Sequence, residues 1–160
     1  FMPADFSSEA NTRQTLQRLK QLANAKVALP LAIFIRENDE FAGMTGFWAY
    51  DAHHRRAEIG FTYVAKNWRR TFVNTECKLL LLTHAFETVK LNRIEFKTDA
   101  RNRASRVAME RIGAKEEGTL RQHMMLLNGE WRDSVYYSIL TDEWPEVKTR
   151  LQQIIQQYEA

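Results

Sequence analysis

Disulfides and cysteine-ligated metal sites are excluded by what this sequence of 160 residues lacks. It contains a single cysteine, Cys77, which leaves no disulfide partner and no set of thiolates for a metal. Prolines and glycines number three and six, and no repeat or low-complexity segment is present. Long apolar runs and a signal peptide are also missing, so the expected location is the cytoplasm, with no membrane partner.

The charge balance is close to even, with 23 lysines and arginines against 20 aspartates and glutamates and a net charge of +3. This mild excess argues against a nucleic-acid partner, although a local basic cluster can still hold a phosphorylated ligand. Apolar residues make up 44% of the chain, as in ordinary soluble globular proteins. The length predicts one domain over residues 1–160, and the unusual Phe-Met-Pro opening predicts an N-terminal truncation.

One stretch in the middle of the chain carries the strongest local signal. Ala57–Val64 is rich in β-branched and aromatic residues and predicts a strand, Ala65–Arg70 is a short basic loop, and Thr71–Lys90 has helical periodicity. Cys77 lies on the apolar stripe of that helix, which indicates a core residue rather than a nucleophile. A helix start next to basic residues favours phosphate binding. The alternative is an ordinary strand, loop and helix with a solvated basic loop.

The remaining pattern predicts a mixed α/β fold, that is, an α+β mixed sheet. The other predicted elements are a helix from Ser7 or Ser8 to Lys26, strands Leu31–Arg36, Phe41–Tyr50 and Arg93–Thr98, a helix Arg103–Ile112, strands Gly118–Leu127 and Trp131–Leu140, and a final helix capped by Thr141. The first three strands are predicted to form an antiparallel meander. Ala57–Thr98 is predicted to be a right-handed β-α-β unit with parallel strands. Asn128-Gly129 predicts a hairpin between the last two strands.

Several short motifs, in this order and spacing, resemble the GNAT N-acetyltransferases, and most closely their RimJ/RimL-like branch. They are Glu58-Ile59-Gly60, Asn92-Arg93-Ile94-Glu95, Asn102-x-x-Ser105, Ile112-Gly113-Ala114, Glu117-Gly118-x-Leu120-Arg121 and Arg132-Asp133-Ser134-x-x-Tyr137-Ser138-Ile139-Leu140. The resemblance covers about residues 31–144. It is specific for the family and not for the substrate.

The resemblance implies that acetyl-CoA, the acyl donor, binds where two parallel strands splay apart. It places main-chain groups of Tyr63 and Val64 along the pantetheine arm. It assigns the pyrophosphate to backbone amides of the loop and helix start, at Arg69, Arg70, Thr71, Phe72, Val73 and Asn74. It also places Asn102 at the pantetheine arm or an ordered water, with Ser105 and Arg106 near the CoA.

Two departures from the family pattern are visible. Phe72 stands where the motif Arg/Gln-x-x-Gly-x-Gly/Ala has its first glycine, which predicts a reshaped loop or a pyrophosphate placed farther out. The usual first strand and helix of the branch have no match in this chain. Their absence predicts an acceptor site that is incomplete or is completed by a partner chain. A homodimer through the last helix is one such arrangement, the alternative being that this helix packs on its own sheet.

Acetyl transfer to an amine requires removal of the ammonium proton and stabilisation of the oxyanion and of the leaving thiolate. Glu58 is a candidate base, directly or through a water, and its alternative is an ion pair with Arg55 or Arg56. His123 is a second candidate base because imidazole titrates near neutrality, and its alternative is a hydrogen-bonded strand histidine.

Two hydroxyl groups are candidates for the leaving-group side of the reaction. Ser105 is a candidate donor to the sulfur or a CoA contact, and its alternative is a residue that merely lies near a helix start. Tyr137 is a candidate acid, and its alternative is a core tyrosine. His53 and His54 lie in a polar turn without further ligands, so no metal site is predicted.

The predicted function is therefore transfer of an acetyl group from acetyl-CoA to a primary amine by direct attack in a ternary complex. The expected acceptor is a protein or peptide N-terminus. The alternatives are a small-molecule amine such as an antibiotic, polyamine or amino acid, and a non-catalytic acyl-CoA-binding module.

Overall fold

The computed structural model describes residues 8–159, which form four α-helices and six β-strands. In chain order these are α1 (Glu9–Asn24), β1 (Ala28–Ile35), β2 (Glu40–Asp51), β3 (Arg56–Val64), α2 (Val73–Thr83), β4 (Arg93–Asp99), α3 (Arg103–Arg111), β5 (Lys115–Met125), β6 (Trp131–Leu140) and α4 (Trp144–Glu159). None of the helices in this part of the chain is long and apolar enough to cross a membrane.

The six strands form one sheet in the order β1-β2-β3-β4-β6-β5. Every neighbouring pair is antiparallel except β3 and β4, which are parallel and joined through α2. The predicted mixed fold, the meander, the β-α-β unit and the terminal hairpin are therefore confirmed. At the hairpin, the Gly129 N–H donates to the carbonyl of Leu126 at 3.0 Å, and the Leu126 N–H donates to the carbonyl of Glu130 at 2.9 Å.

The parallel pairing of β3 with β4 is short. It joins Arg56 to Arg93, Ala57 to Ile94 and Glu58 to Glu95, and then it ends. β3 continues to Val64 without β4 beside it, and β4 continues along β6. The predicted splay of two parallel strands is thus present, and it opens directly after Glu58.

Several element boundaries differ from the sequence expectation. β1 begins at Ala28, earlier than predicted, and includes Pro30, which an edge strand tolerates because one side of its backbone faces no neighbour. The helix predicted for Thr71–Lys90 is α-helical over Val73–Thr83 and continues as a π-helical turn over His84–Thr88.

The predicted ends of the first and last helices have different outcomes. Ser8 caps α1, since its hydroxyl accepts the Asn11 N–H at 3.2 Å, whereas Ser7 lies outside the described residues. The prediction that Thr141 caps the last helix is wrong, because α4 begins at Trp144. The carboxylate of Glu143, just before α4, instead accepts the Leu140 N–H at 2.8 Å.

The main core lies between the sheet and the helices α2 and α4. Its most deeply buried side chains are Leu82, Ile94, Tyr137, Ile139 and Leu151. Cys77 packs against this core and is partly buried, as expected for a structural thiol. A second cluster of Ile35, Ala42 and Val73 anchors the start of α2 against the meander, which positions the loop before that helix.

Gly43 of β2 and Gly118 of β5 have similar backbones but different surroundings. Their φ values are 153° and 150°, so alanine strains the backbone at either position by about 1–3 kcal/mol. A Cβ at Gly43 would lie 2.1 Å from the Tyr63 carbonyl oxygen of β3, whereas a Cβ at Gly118 meets nothing within 4 Å. Gly43→Ala should therefore lose about 1–3 kcal/mol more than Gly118→Ala, because β2 and β3 must move apart. Urea midpoints at unchanged slope measure the difference, and equal losses would contradict the contact.

Candidate functional site

A cleft of about 1740 Å³ opens where β3 and β4 diverge. Residues 58–64 of β3 and residues 96–98 of β4 form its floor, and α1, α3 and the start of α2 supply its walls. Of the predicted site residues, the cleft brings together Glu58, Tyr63, Val64, Arg69, Arg70, Thr71, Asn74, Asn102 and Ser105. Phe72, Val73, Arg106 and His123 are not on its walls.

A β-bulge in β3 shapes the floor. Gly46 pairs with Gly60, but Met44 pairs with Tyr63, so β3 carries one extra residue between these pairs. Phe61 absorbs the irregularity with a φ of 56°, and its ring stacks on Trp48 at 5.3 Å between centroids. Because a bulge turns the strand and leaves backbone groups without a ladder partner, it presents polar main-chain atoms to the cleft.

The loop before α2 provides hydrogen-bond donors at one end of the cleft. Arg69 Nε donates to the Val64 carbonyl at 3.0 Å, which ties the loop to β3, and Arg70 turns the chain with a left-handed φ of 63°. At the start of α2 the Val73 N–H donates to the Thr71 hydroxyl at 3.4 Å, and the N-cap residue Phe72 makes no side-chain hydrogen bond to the helix. The next N–H groups of the first turn have no partner within the helix, as at any helix N-terminus. Asn74 Oδ1 is buried without a hydrogen-bond partner among the described residues.

Phe72 has an ordinary helical backbone, with φ −63° and ψ −24°, so this position does not require the conformational freedom of glycine. Its ring packs edge-on against Trp68 at 6.5 Å between centroids, and the Val73 side chain is buried in the cluster that anchors α2. These two apolar side chains are therefore directed into packing, and main-chain groups are what this part of the loop offers a ligand.

The start of α3 forms another wall of the cleft. The side-chain oxygen of Asn102 accepts the Ser105 N–H at 3.2 Å and so caps the helix. The Asn-x-x-Ser spacing thus has a local structural cause, and it holds both side chains at the cleft.

Arg106 and Tyr137 lie together away from the cleft. Arg106 Nε donates to the Tyr137 hydroxyl at 3.1 Å, and the guanidinium pairs with Glu116 at 3.1 Å. The Tyr137 ring is fully buried, and its hydroxyl lies 3.0 Å from carboxylate oxygens of Glu110 and Glu116. Burial raises the pKa of this tyrosine. The core interpretation of Tyr137 is confirmed.

Glu58 lies at the head of the splay and is 8% exposed. Its Oε2 is 2.8 Å from Lys97 Nζ, an ion pair that spans the point where β3 and β4 separate. The expected pairing with Arg55 or Arg56 is wrong. Arg56 pairs with Glu95 at 3.3 Å, and Arg55 donates to the Lys90 carbonyl.

Gly60 leaves the space that the Glu58 carboxylate occupies. A Cβ at position 60 would lie 2.7 Å from Glu58 Oε1. The Glu-Ile-Gly motif therefore has a packing reason, since the glycine two residues after the carboxylate makes room for it on the same face of the strand.

His123 lies in an irregular part of β5. Leu120 pairs with Ser134 and Met124 with Arg132, so five residues of β5 lie opposite three residues of β6. Two extra residues are thus accommodated around His123, which lies within 5.7 Å of Tyr136 between ring centroids. Its Nδ1 is buried without a hydrogen-bond partner among the described residues.

The electrostatic surroundings of His123 link it to Glu58. Burial lowers the pKa of the imidazole, and the positive charges of Lys97 and Arg132 lower it further, while the Glu58 carboxylate opposes them. The imidazole is therefore neutral at pH 7. Both candidate bases belong to one cluster, which we call the Glu58 cluster: Glu58, Lys97, His123 and Arg132.

Sequence reasoning missed several basic residues of the cleft, among them Lys78, Lys97 and Arg132. Lys78 follows Asn74 by one helical turn, so helical periodicity already places both on one face. Lys97 and Arg132 gave no such signal, because their positions depend on the splay and on the β5 irregularity. Within residues 8–159, no group of three or more His, Cys, Asp or Glu side chains is arranged to hold a metal ion.

Comparisons with known proteins agree on one family. A family model described as "Acetyltransferase (GNAT) domain" matches residues 1–115. A Bacillus subtilis (strain 168) protein provisionally named ribosomal N-acetyltransferase YdaF is 39% identical over 102 residues, which are 64% of this chain. The match spans 55% of that relative, just over half of its length.

Two solved structures share the fold. A crystal structure from T. thermophilus, provisionally described as an acetyltransferase, is 36% identical, with a TM-score of 0.85 over 97% of this chain and 80% of its own. A GCN5-related N-acetyltransferase from Brucella melitensis is 28% identical, with a TM-score of 0.83 over 92% of this chain and 65% of its own.

The charges around His123 predict opposite responses to two substitutions. Lys97→Met should raise the pKa of His123, because it removes a nearby positive charge, and Glu58→Gln should lower it further, because it removes the opposing carboxylate. NMR titration of the imidazole measures both shifts. Lys66→Met is the matched control, since the Lys66 ammonium is not among the charges that act on His123. Shifts of equal sign in the two variants would contradict the Glu58 cluster.

Proposed function

The chain belongs to the GNAT acetyltransferase family, and on that basis we propose that it moves an acetyl group from acetyl-CoA to a primary amine. The predicted family and fold are confirmed, and the name of the Bacillus relative is consistent with the RimJ/RimL-like branch. The substrates, the site residues and the mechanism are the proposal developed below.

The observation that carries the proposal is the cleft at the end of the β3–β4 pairing. A donor laid along it has its pyrophosphate against the N-terminal end of α2 and its pantetheine arm against the main chain of Tyr63 and Val64. Asn102 and Ser105 face it from α3. The reactive thioester then lies toward Glu58, where the two strands meet.

Glu58 is the proposed base. It lines the cleft, whereas His123 does not, and its Oε2 is held 2.8 Å from Lys97 Nζ at the point where the strands separate. The acceptor ammonium gives a proton to Glu58, and the amine nitrogen then attacks the acetyl carbon. An N–H group of β3 that has lost its ladder partner donates to the oxyanion.

The intermediate collapses when the carbon–sulfur bond breaks. The nitrogen, now bonded to the acetyl carbon, gives its second proton to solvent and becomes the neutral amide, and the CoA thiolate takes up a proton, for which the Ser105 hydroxyl is the proposed donor. The hydroxyl recovers its proton from solvent, and Glu58 releases its own to solvent. No covalent enzyme intermediate is needed, because holding the amine and the thioester together supplies much of the rate enhancement.

The proposed acceptor is a protein or peptide N-terminus. The name of the Bacillus relative supports this class, and the wide cleft, which extends past Glu58 to α1, has room for a chain. A small-molecule amine is the competing acceptor. The non-catalytic acyl-CoA-binding alternative is based on Phe72 and on the unmatched first strand, and the helical backbone at Phe72 weakens only the first of these two grounds.

The donor site predicts a charge effect at the start of α2. Asn74→Asp should weaken acetyl-CoA binding about tenfold or more, roughly 1.4 kcal/mol, because a carboxylate at the pyrophosphate site repels the ligand. Isothermal titration measures the affinity. Asn67→Asp is the matched control, with the same charge change in the same loop but off the cleft wall. Equal affinities for the two variants would place the pyrophosphate elsewhere.

The base assignment predicts a loss of turnover with donor binding preserved. Glu58→Gln should lower kcat by about 10²–10⁴, since the amide cannot accept the ammonium proton, while acetyl-CoA affinity stays near the wild-type value. Release of CoA thiol in the presence of N-terminal peptides measures the rate. Glu95→Gln is the control, because Glu95 is the backbone ladder partner of Glu58 on β4 but lies outside the cleft. A wild-type kcat for Glu58→Gln would show that another group acts as the base.

A further inference from the structure

Lys78 is a buried amine in the donor cleft that the proposed reaction does not use. It lies on the inner face of α2, one turn after Asn74, and both line the cleft. The residue is 5% exposed. Its Nζ donates to the Thr62 hydroxyl at 2.9 Å and to the Thr45 hydroxyl at 3.4 Å, and the two hydroxyls lie 3.0 Å apart.

The surroundings of Lys78 disfavour its charged form. Among residues 8–159, no carboxylate lies within ion-pair distance of its ammonium, and Glu58, the acidic residue of the cleft, is paired with Lys97. Burial accordingly lowers the pKa of Lys78. A buried lysine that has only hydroxyl partners costs stability, which makes it a candidate for a functional role.

The hydrogen bonds fit a neutral amine with a free lone pair. A neutral Nζ has two N–H groups, and the Thr62 and Thr45 hydroxyls accept both. The lone pair of Nζ is then not used in these two hydrogen bonds, and Lys78 lines the cleft. An uncharged amine with an available lone pair is the form that attacks a thioester.

Lys78 also lies beside the path of the donor. Its partner Thr62 directly follows the bulge residue Phe61 and directly precedes Tyr63 and Val64, the proposed contacts of the pantetheine arm. The amine is thus held at the part of β3 that lies between the pantetheine contacts and Glu58, where the thioester is proposed to lie.

We infer that Lys78 is a self-acetylation site, modified when acetyl-CoA fills the cleft and no acceptor is present. Lys78 Nζ forms a bond to the acetyl carbon, the carbon–sulfur bond breaks, and the nitrogen proton passes to the CoA thiolate, which leaves as the thiol. The product is a stable amide, so the acetyl group stays on the protein instead of passing to an acceptor. The inference rests on the proposed use of acetyl-CoA.

The test incubates the folded chain with acetyl-CoA in the absence of an amine acceptor. Intact mass spectrometry follows the gain of one acetyl group, and peptide mapping locates it, with isothermal titration of acetyl-CoA run in parallel. The variants are Lys78→Arg, which keeps a long basic side chain but removes the nucleophilic amine, and Lys66→Arg, which makes the same change at an exposed lysine of the neighbouring loop. Heat-unfolded protein reports the background reactivity of all lysines.

We expect the wild type and Lys66→Arg to gain one acetyl group on Lys78, and Lys78→Arg to lose at least tenfold of this incorporation. Mapping in the wild type alone decides the matter if Lys78→Arg does not fold. Binding of acetyl-CoA without acetylation of Lys78 above the unfolded background would overturn the inference and leave the proposed function standing. An absence of acetyl-CoA binding would overturn both.

Discussion

Backbone hydrogen bonding between β3 and β4 is the constraint on which the site depends. The two strands are held in register at three residue pairs, and the pairing stops at Glu58 and Glu95. Beyond that point the facing N–H and C=O groups need another partner, since buried backbone groups are rarely left unpaired. A ligand with an amide-rich arm, such as pantetheine, is suited to supply those partners. The cleft therefore exists because the backbone pairing of β3 with β4 ends after Glu58.

Charge is distributed differently at the two ends of this ladder. At the closed end, Arg93 pairs with Glu95 at 2.8 Å and with Glu117, whose pKa falls to about 2 chiefly through its hydrogen bond with Arg93. At the open end the Glu58 carboxylate pairs with Lys97, and the Lys78 amine has no partner of opposite charge among the described residues. The charged groups at the closed end are therefore fully paired, whereas the Lys78 amine at the cleft has no oppositely charged partner among the described residues. A ligand bound in the cleft can therefore change the pKa of Lys78.

The sequence predicted features that depend on neighbouring residues, and it did not predict features that depend on contacts between distant parts of the chain. Local signals were sufficient for the Asn128-Gly129 hairpin and for Ser8 as the cap of α1, where its hydroxyl accepts the Asn11 N–H at 3.2 Å. The Glu58–Lys97 pair and the irregular pairing of β5 were not predictable, because they depend on register between strands distant in sequence. The π-helical turn after α2 was missed for a different reason, since its apolar spacing resembles that of an α-helix.

The short β3–β4 ladder also affects how stable the sheet is against unfolding. The sheet consists of two three-stranded halves, β1-β2-β3 and β4-β6-β5, whose backbones are bonded to each other at only three residue pairs among those described. A donor bound between them as proposed would bridge the two halves. Its binding would raise the stability of the folded state, because a ligand that binds only the folded state shifts the folding equilibrium toward it. In the cell, the supply of acyl donor would then help to set how long the chain survives proteolysis.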